Sequence, residues 1–539
     1  MSRDAAAPTQ KKLLRGVLVL MPAALFSKLV GMFYKIPLLF IVGVEGMAYF
    51  LAAYHVYSLL FVLSATGLPT ALSLQISRAL ARGEKRAVGR IFRVALAFFL
   101  ALGLLGSAFL FFFAPGIAAR LSMGDAAAAL AAISPSLFLA AFIGAGRGYF
   151  QGHSRMGPTA LCEVLEALGK LLFGLGAALW AKHRGLAAPS VAAYAVCGIT
   201  LGMALSALSL LPPLIVDAYK RAREKGTLPS CTRVLGELCR VGLPITLGAA
   251  VMSAVSLLDT ALISARLQSA GFPASVANAM YSSYGNLAIP LYNVVPALLA
   301  PITLALMPLL GGAVTGKDTQ GARAALSSAV RISALVGIPS SLGLAVFARP
   351  LLEMIFAGQA QAIAVAAPLL SVLALSILPA VLVTVLGAAL QATGHTLLPV
   401  IATGVGATVK LCCESILLTV PGVYLLGAPI STFCCVLTVL LIEWVALGRA
   451  LPFEVIAPRD LFRPLLAAIP ALLPGIGLYR ILHLRVSQSA WVMLPVLVVV
   501  GLVTLLFALL FGAVEKSDLL TLPAGNKVCA CLEKCKLLK

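Results

Sequence analysis

Charge is scarce in this chain. Asp, Glu, Lys and Arg make up 11% of its 539 residues, against about 25% in an ordinary globular domain. So few charges could not cover the surface of a soluble fold, which excludes a soluble enzyme, a nucleic-acid module and a disordered scaffold. Enzyme signatures are missing too. There is no H-E-x-x-H and no G-x-S-x-G, and the five histidines (His55, His153, His183, His395, His483) stand one at a time. The stretch G-G-A-V-T-G-K-D at 311–318 places Asp318 where a phosphate-binding loop needs Ser or Thr. It also follows an apolar run instead of a strand, so the match is chance. With no ATP-hydrolysing module and no expected cofactor, an ion gradient (Na+ or H+) or the membrane potential is left to drive uphill transport. The eleven cysteines offer no disulfide framework. Cys162, Cys197, Cys412, Cys413, Cys434 and Cys435 fall in apolar runs, where Cys behaves as a small hydrophobe. Cys529, Cys531 and Cys535 close the chain as C-A-C-L-E-K-C, with no standard zinc spacing and no nearby His. A reduced cytoplasmic tail is the expectation there, with a metal or acylation site as the alternative.

What abounds is apolar sequence: 61% hydrophobic residues and a mean hydropathy of +1.04. Fourteen runs approach the roughly 20 residues that cross a bilayer: 14–42, 47–75, 91–113, 126–150, 157–181, 187–216, 241–265, 280–312, 325–348, 362–390, 396–419, 423–448, 462–484 and 489–513. The first lacks a small-residue cleavage site and is interrupted by Lys28 and Lys35, so it is expected to stay as a helix and not to leave as a signal peptide. The location of the charges fixes the expected orientation. With the N-terminus inside, 29 of the 40 Lys and Arg fall in cytoplasmic segments, 7 fall outside and 4 lie within spans. This bias predicts cytoplasmic N- and C-termini and an even number of crossings. It also accounts for the net charge of +21 without a nucleic-acid partner.

The chain repeats itself. Gln151 precedes Lys170 by the same interval that separates Gln391 from Lys410, at an offset of 240. In both copies an apolar run ends at the Gln, a Gly and a Pro follow (Gly152, Pro158; Gly394, Pro399), and the next run carries the Lys. The predicted fold is an all-α polytopic membrane protein of 14 transmembrane helices. Two six-helix lobes, 1–216 and 241–450, are related by a parallel pseudo-twofold repeat and joined by a basic cytoplasmic linker, 217–240. An extra helix pair (451–513) and a cytoplasmic tail (514–539) follow. Repeats of this kind place the substrate between the halves in secondary transporters.

An ionisable residue inside a span costs about 2.5–3.5 kcal/mol on insertion scales, so each asks for a reason. Lys28 and Lys35 are seven apart on the first helix, on one face and about 10 Å from each other. Two ammonium groups lining a cavity would attract an anionic headgroup such as a diphosphate; snorkelling of Lys35 is the plainer account. Glu163, Glu166 and Lys170 share one face of the fifth helix, with Glu166 and Lys170 in the favourable i,i+4 order. A self-neutralising pair and a substrate role both fit. Lys410 and Glu414 repeat that adjacency with signs reversed. Asp259, alone on the seventh helix, fits either a coupling cation or proton or a pairing with Lys410. Four prolines in the eighth run (Pro290, Pro296, Pro301, Pro308) predict a bent helix, on which Asn286, Tyr292 and Asn293 supply polar groups for a cavity.

Several stretches carry a family likeness. K-I-P-L-L-F-I-V-G-V-E-G-M-A (35–48), L-P-T-A-L-S (68–73), S-P-S-L-F (134–138), R-G-Y-F-Q-G (147–152) and P-T-A before the Glu-bearing helix (158–170) resemble the polysaccharide-biosynthesis and flippase branch of the multidrug/oligosaccharidyl-lipid/polysaccharide (MOP) superfamily. The likeness runs over roughly 12–450 and is to the group of stage V sporulation protein B and the MurJ-type lipid II flippases. It implies two six-helix lobes around a cationic V-shaped cavity, with a lipid-facing groove formed by the last two helices. The implied activity is movement of an undecaprenyl-diphosphate-linked sugar from the inner to the outer leaflet by alternating access. Lys35 stands at the family's first-helix basic position. The second and eighth spans lack the basic residues of MurJ-type members, and Arg147 stands ready to compensate from the cytoplasmic mouth.

The expected function is therefore a lipid-linked oligosaccharide flippase in the bacterial cell membrane, in peptidoglycan or spore-wall synthesis. Its partners are an undecaprenyl-diphosphate-linked glycan, membrane lipids and cell-wall synthesis proteins. Expected substrate-binding residues are Lys28, Lys35, Arg147, Gln151, Glu166, Lys170, Asn286 and Asn293; Asp259, Lys410 and Glu414 are expected to serve cation coupling or gating. A cation-coupled multidrug antiporter and a non-transporting scaffold for wall synthesis are the competing readings.

Overall fold

The computed structural model describes residues 7–514 except 66, 154, 222–228, 317 and 486–488. The cysteines of the tail and most of the basic stretch 220–225 lie outside the described residues, which contain no strand. The helices are α1 (Ala7–Ala65), α2 (Gly67–Ala81), α3 (Lys85–Arg120), α4 (Ala127–Ile133), α5 (Pro135–Gly152), α6 (Met156–His183), α7 (Ala188–Arg221), α8 (Cys231–Ser269) and α9 (Ala274–Ser283). They continue as α10 (Ile289–Thr315), α11 (Thr319–Val346), α12 (Ala348–Ile355), α13 (Ala360–Ala374), α14 (Ile377–Ala392), α15 (Leu398–Leu417), α16 (Gly427–Ala450), α17 (Pro458–Arg485) and α18 (Ser489–Leu510).

Among the described residues eleven helices are long and apolar enough to cross a membrane, or twelve with α13 and α14 counted as one span bent by 46°. The first of them, Tyr34–Ala81, is 48 residues long, which is about 72 Å of helix and more than one crossing needs. Helical geometry is lost within α1 at Gly43, with φ 79° and ψ 166°. That φ belongs to the left-handed region in which a Cβ is strained. Gly43 thus marks the boundary between the first two expected runs. The eighth expected run lies in α9, a π-helical turn at Tyr284–Ala288, and α10. The chance match to a phosphate-binding loop has a structural role: the Asp318 side chain caps α11 by accepting from the Gly321 N–H at 2.8 Å.

The helices form two compact units. The first runs to Gln268 and includes Pro273–Ser282; the second starts at Ser283 and includes Ser269–Phe272. The division falls later in the chain than the basic stretch 217–240 because α8 packs within the first unit. The Gly67 N–H donates to Thr246 Oγ1 at 3.2 Å, and Gln75 Nε2 donates to the Val234 carbonyl at 3.1 Å. His55 Nδ1, Thr260 Oγ1 and the Tyr281 hydroxyl meet at 2.7–3.2 Å. Covalent spacing advertises a linker, but packing decides which unit a helix joins.

Each unit contains a tight hairpin at a corresponding place in the sequence repeat. In the first, α6 and α7 approach until Gly169 meets Gly202 and Gly174 meets Gly198, backbone to backbone. In the second, α15 and α16 close where Gly406 meets Cys435 and Val439, and again where Leu417 meets Gly427. Small residues at such crossings let backbones come together and gain dispersion contacts, the main attraction left between helices in lipid.

Candidate functional site in the first unit

The first unit gathers its charges where α1, α5 and α6 meet. Positions 163, 166 and 170 lie on one face of α6 and span about 10 Å. Arg147 of α5 donates from Nη2 to Glu166 Oε2 at 3.1 Å, and its Nη1 stands 3.9 Å from Glu163 Oε1. Glu166 therefore takes its partner from another helix and not from Lys170 four residues on. Lys170 turns to α1 instead. Its Nζ lies 3.6 Å from where a Cβ on Gly31 would stand, one turn before Lys35 on the same helix face. Lys35 experiences the like charge of Lys170. Among the described residues neither lysine has an acidic partner within 4.0 Å. The result is a graded row: one guanidinium neutralised by two carboxylates, then two ammonium groups left over.

Aromatic groups border this row. Glu166 acts electrostatically on Tyr54 and Tyr57 of α1, and the Tyr57 hydroxyl bonds to Met203 Sδ at 3.3 Å. Tyr34 holds α1 against the hairpin by donating to the Ala195 carbonyl at 3.3 Å while its ring rests on Gly174.

The R-G-Y-F-Q-G motif gains a residue-by-residue explanation. Its arginine makes the pairs just described. Gly148 and Gly152 let α5 approach α2, where a Cβ would stand 2.7 Å from the Pro69 carbonyl oxygen or 2.8 Å from Ile76 Cβ. The Tyr149 hydroxyl donates to Asp217 Oδ2 at 3.3 Å, which also receives Arg155 Nη1 at 2.6 Å. The Arg155 guanidinium lies over the Phe150 ring, 5.4 Å from its centroid. Gln151 is partly buried at the end of α5.

The other expected residues are distributed more widely. Lys28 lies on α1, and its side chain is outside the described residues. Asp259 is on α8 in the first unit, whereas Lys410 and Glu414 are buried on α15 in the second. Asn286 is buried within the π turn, but Asn293 is exposed. Seven residues apart in a regular α-helix they would share a face; the extra residue of the π turn rotates the remainder of the helix by about one position. Tyr292 stands within electrostatic reach of Lys410. Sequence reasoning missed Gly31, whose missing side chain admits Lys170. It also missed Glu443, a lone acid in an apolar run that is 1% exposed on α16.

Comparison with known proteins fits this architecture. The profile of polysaccharide biosynthesis proteins matches residues 13–313, and the MatE profile matches residues 244–413. Stage V sporulation protein B of Bacillus subtilis (strain 168) is 25% identical over 449 residues, covering 82% of this chain and 85% of that protein. Lipid II flippase MurJ of the same organism is 30% identical over 176 residues, 31% of this chain and 32% of that protein. Among solved structures, lipid II flippase MurJ in an inward closed conformation superposes with a TM-score of 0.69 at 15% identity, covering 92% of this chain and 98% of that one.

Proposed function

Since the chain belongs to the polysaccharide biosynthesis family, in the flippase branch of the MOP superfamily, we propose that it is a flippase for lipid-linked glycans. Membership makes it a multi-pass membrane transporter and not an enzyme. The substrate class is an undecaprenyl-diphosphate-linked cell-wall precursor, with lipid II the first candidate, carried from the inner to the outer leaflet by alternating access.

One observation carries this reading: Lys35 and Lys170 lie close enough to repel each other, and among the described residues neither has an acid within 4.0 Å. Each costs about 2.5–3.5 kcal/mol to insert, and their mutual repulsion adds to that. An anion between them relieves both terms. A diphosphate carries charge enough for the two ammonium groups, one from α1 and one from α6, while Arg147 of α5 keeps Glu163 and Glu166 occupied. The excess of Lys and Arg in alternate segments supports cytoplasmic N- and C-termini. No cofactor takes part, and an ion gradient or the membrane potential supplies the direction.

The match to the MatE profile supports a second reading, a cation-coupled drug antiporter. Two surplus ammonium groups count against it, because they would repel a cationic drug.

The test is the amount of lipid II exposed to a membrane-impermeant probe in cells depleted of their own flippase. The intact chain restores outer-leaflet lipid II, whereas Lys35→Ala/Lys170→Ala does not. Rescue by both would sink the site. A well-expressed intact chain that rescues nothing would sink lipid II as the substrate.

A further inference from the structure

The second unit contains a buried acid that the flippase reading does not use. Glu443 lies about two-thirds of the way along α16 and is 1% exposed. Leu440 and Leu447, one turn to either side, belong to an apolar cluster with Leu386 and Leu390 of α14. Its Oε2 is buried without a hydrogen-bond partner, and no cation lies within 4.0 Å among the described residues. Its carboxyl occupies the space in front of Gly387, where a Cβ would stand 3.2 Å from Oε1.

The sequence repeat sharpens the contrast. The offset of 240 carries Arg147 of α5 onto Gly387 of α14. In the first unit that position holds a guanidinium with two glutamates around it. In the second it holds no side chain, and a carboxyl from α16 comes to it alone. An ionised carboxylate taken from water into such surroundings loses several kcal/mol of solvation with nothing to repay it, and desolvation favours the neutral acid.

The ionisable groups nearby do not alter this balance. Of the elements packed against α16, α13 and α14 contain none. The turn Tyr424–Leu426 contributes only Tyr424. On α15, Lys410, Cys412, Cys413 and Glu414 lie between the Gly406 and Leu417 crossings, opposite the 427–435 stretch and away from Glu443. On α16 itself Cys434 and Cys435 are two turns back, and the exposed Arg449 is about 9 Å further along the axis.

We propose that Glu443 is a proton-binding site: its carboxylate takes one proton from water when α14 and α16 part, and holds it as a neutral acid when they close over Gly387. Releasing that proton on the opposite side of the membrane would give transport a direction. This use rests on the flippase reading, whereas proton binding itself does not.

The full-length chain in lipid nanodiscs is treated with dicyclohexylcarbodiimide, which adds to a protonated carboxyl and rearranges to a stable N-acylurea in an apolar site. Peptide mapping is expected to find the adduct on Glu443 at neutral pH. Its yield should fall about tenfold for each pH unit above the midpoint of the group, as the acid ionises. Gly387→Val, which crowds the carboxyl, should lower the yield in a folded protein. In parallel, the infrared C=O band of protonated carboxylic acid at neutral pH should lose intensity in Glu443→Gln. An unlabelled Glu443 at every pH, or a band unchanged in Glu443→Gln, overturns the proposal. The labelling arm needs no variant and no transport activity, so failure of the flippase reading leaves its outcome untouched.

Discussion

Arg147 and Glu166, on α5 and α6, are joined at 3.1 Å, and that pairing is what leaves Lys170 without a counter-ion among the described residues. The carboxylate that helical spacing offers to Lys170 is taken from across the helix interface. Both partners are about a quarter exposed, so the pair is neither a surface bridge nor a fully buried one. Arg147→Ala should cost about 1–3 kcal/mol of stability, because it strands Glu163 and Glu166. Adding Glu166→Gln to that variant should restore part of the loss. Thermal unfolding of the four members of this cycle measures the coupling. Additive losses would mean that the pair does not bind in solution.

The repeat relating Gln151 and Lys170 to Gln391 and Lys410 was legible in the sequence, because it is a matter of spacing; the close crossings of the helices that follow each Gln were not, because they depend on which glycines meet across the interface. The fate of Glu166 was not legible: i,i+4 spacing names a neighbour on the same helix but cannot rank it against an arginine arriving from another. Arg331 and Asp460 look like charges at cytoplasmic span ends, yet both are buried in contact with each other. Glu443 went unread although it is a lone acid in an apolar run; what makes it unusual is the glycine opposite, which only packing supplies.

Gly31 makes a graded test of the cationic site. A Cβ there would meet Lys170 Nζ at 3.6 Å, an ordinary contact. Gly31→Ala should therefore keep transport near its normal level. Gly31→Leu should displace the ammonium and reduce lipid II exposure about as far as Lys170→Ala does. Full activity in Gly31→Leu, with normal expression, would separate Lys170 from the substrate path.

The hairpin of the first unit predicts a sharp difference between two glycines. A Cβ on Gly198 would run into the Gly174 backbone, while one on Gly176 faces open space. Gly198→Ala forces the two helices apart and should cost about 1–3 kcal/mol. Gly176→Ala should be neutral or stabilise by up to about 1 kcal/mol through helix propensity. Melting temperatures in one detergent decide this, and equal shifts would show that α6 and α7 do not meet backbone to backbone at Gly174 and Gly198.

The C-terminal pair α17 and α18 depends on a different kind of contact. Arg331 of α11 reaches Asp460 of α17 at 3.4 Å, and Ser327 donates to the other carboxylate oxygen at 2.7 Å. The two charged side chains are 5% and 2% exposed. Removing Arg331 leaves the buried Asp460 with only the Ser327 hydroxyl and the exposed Arg459, whose Nε stands 3.9 Å away, so Arg331→Met should destabilise by about 1–3 kcal/mol. Arg331→Met/Asp460→Leu removes both desolvation costs and should recover most of that loss, because apolar replacements of a buried pair are often neutral. Unfolding midpoints of the two variants, with protease susceptibility of α17 as a local readout, test the expectation. A double variant as unstable as the single one would mean that the pair contributes favourable energy beyond its own neutralisation, and that α17 is held to α11 by charge.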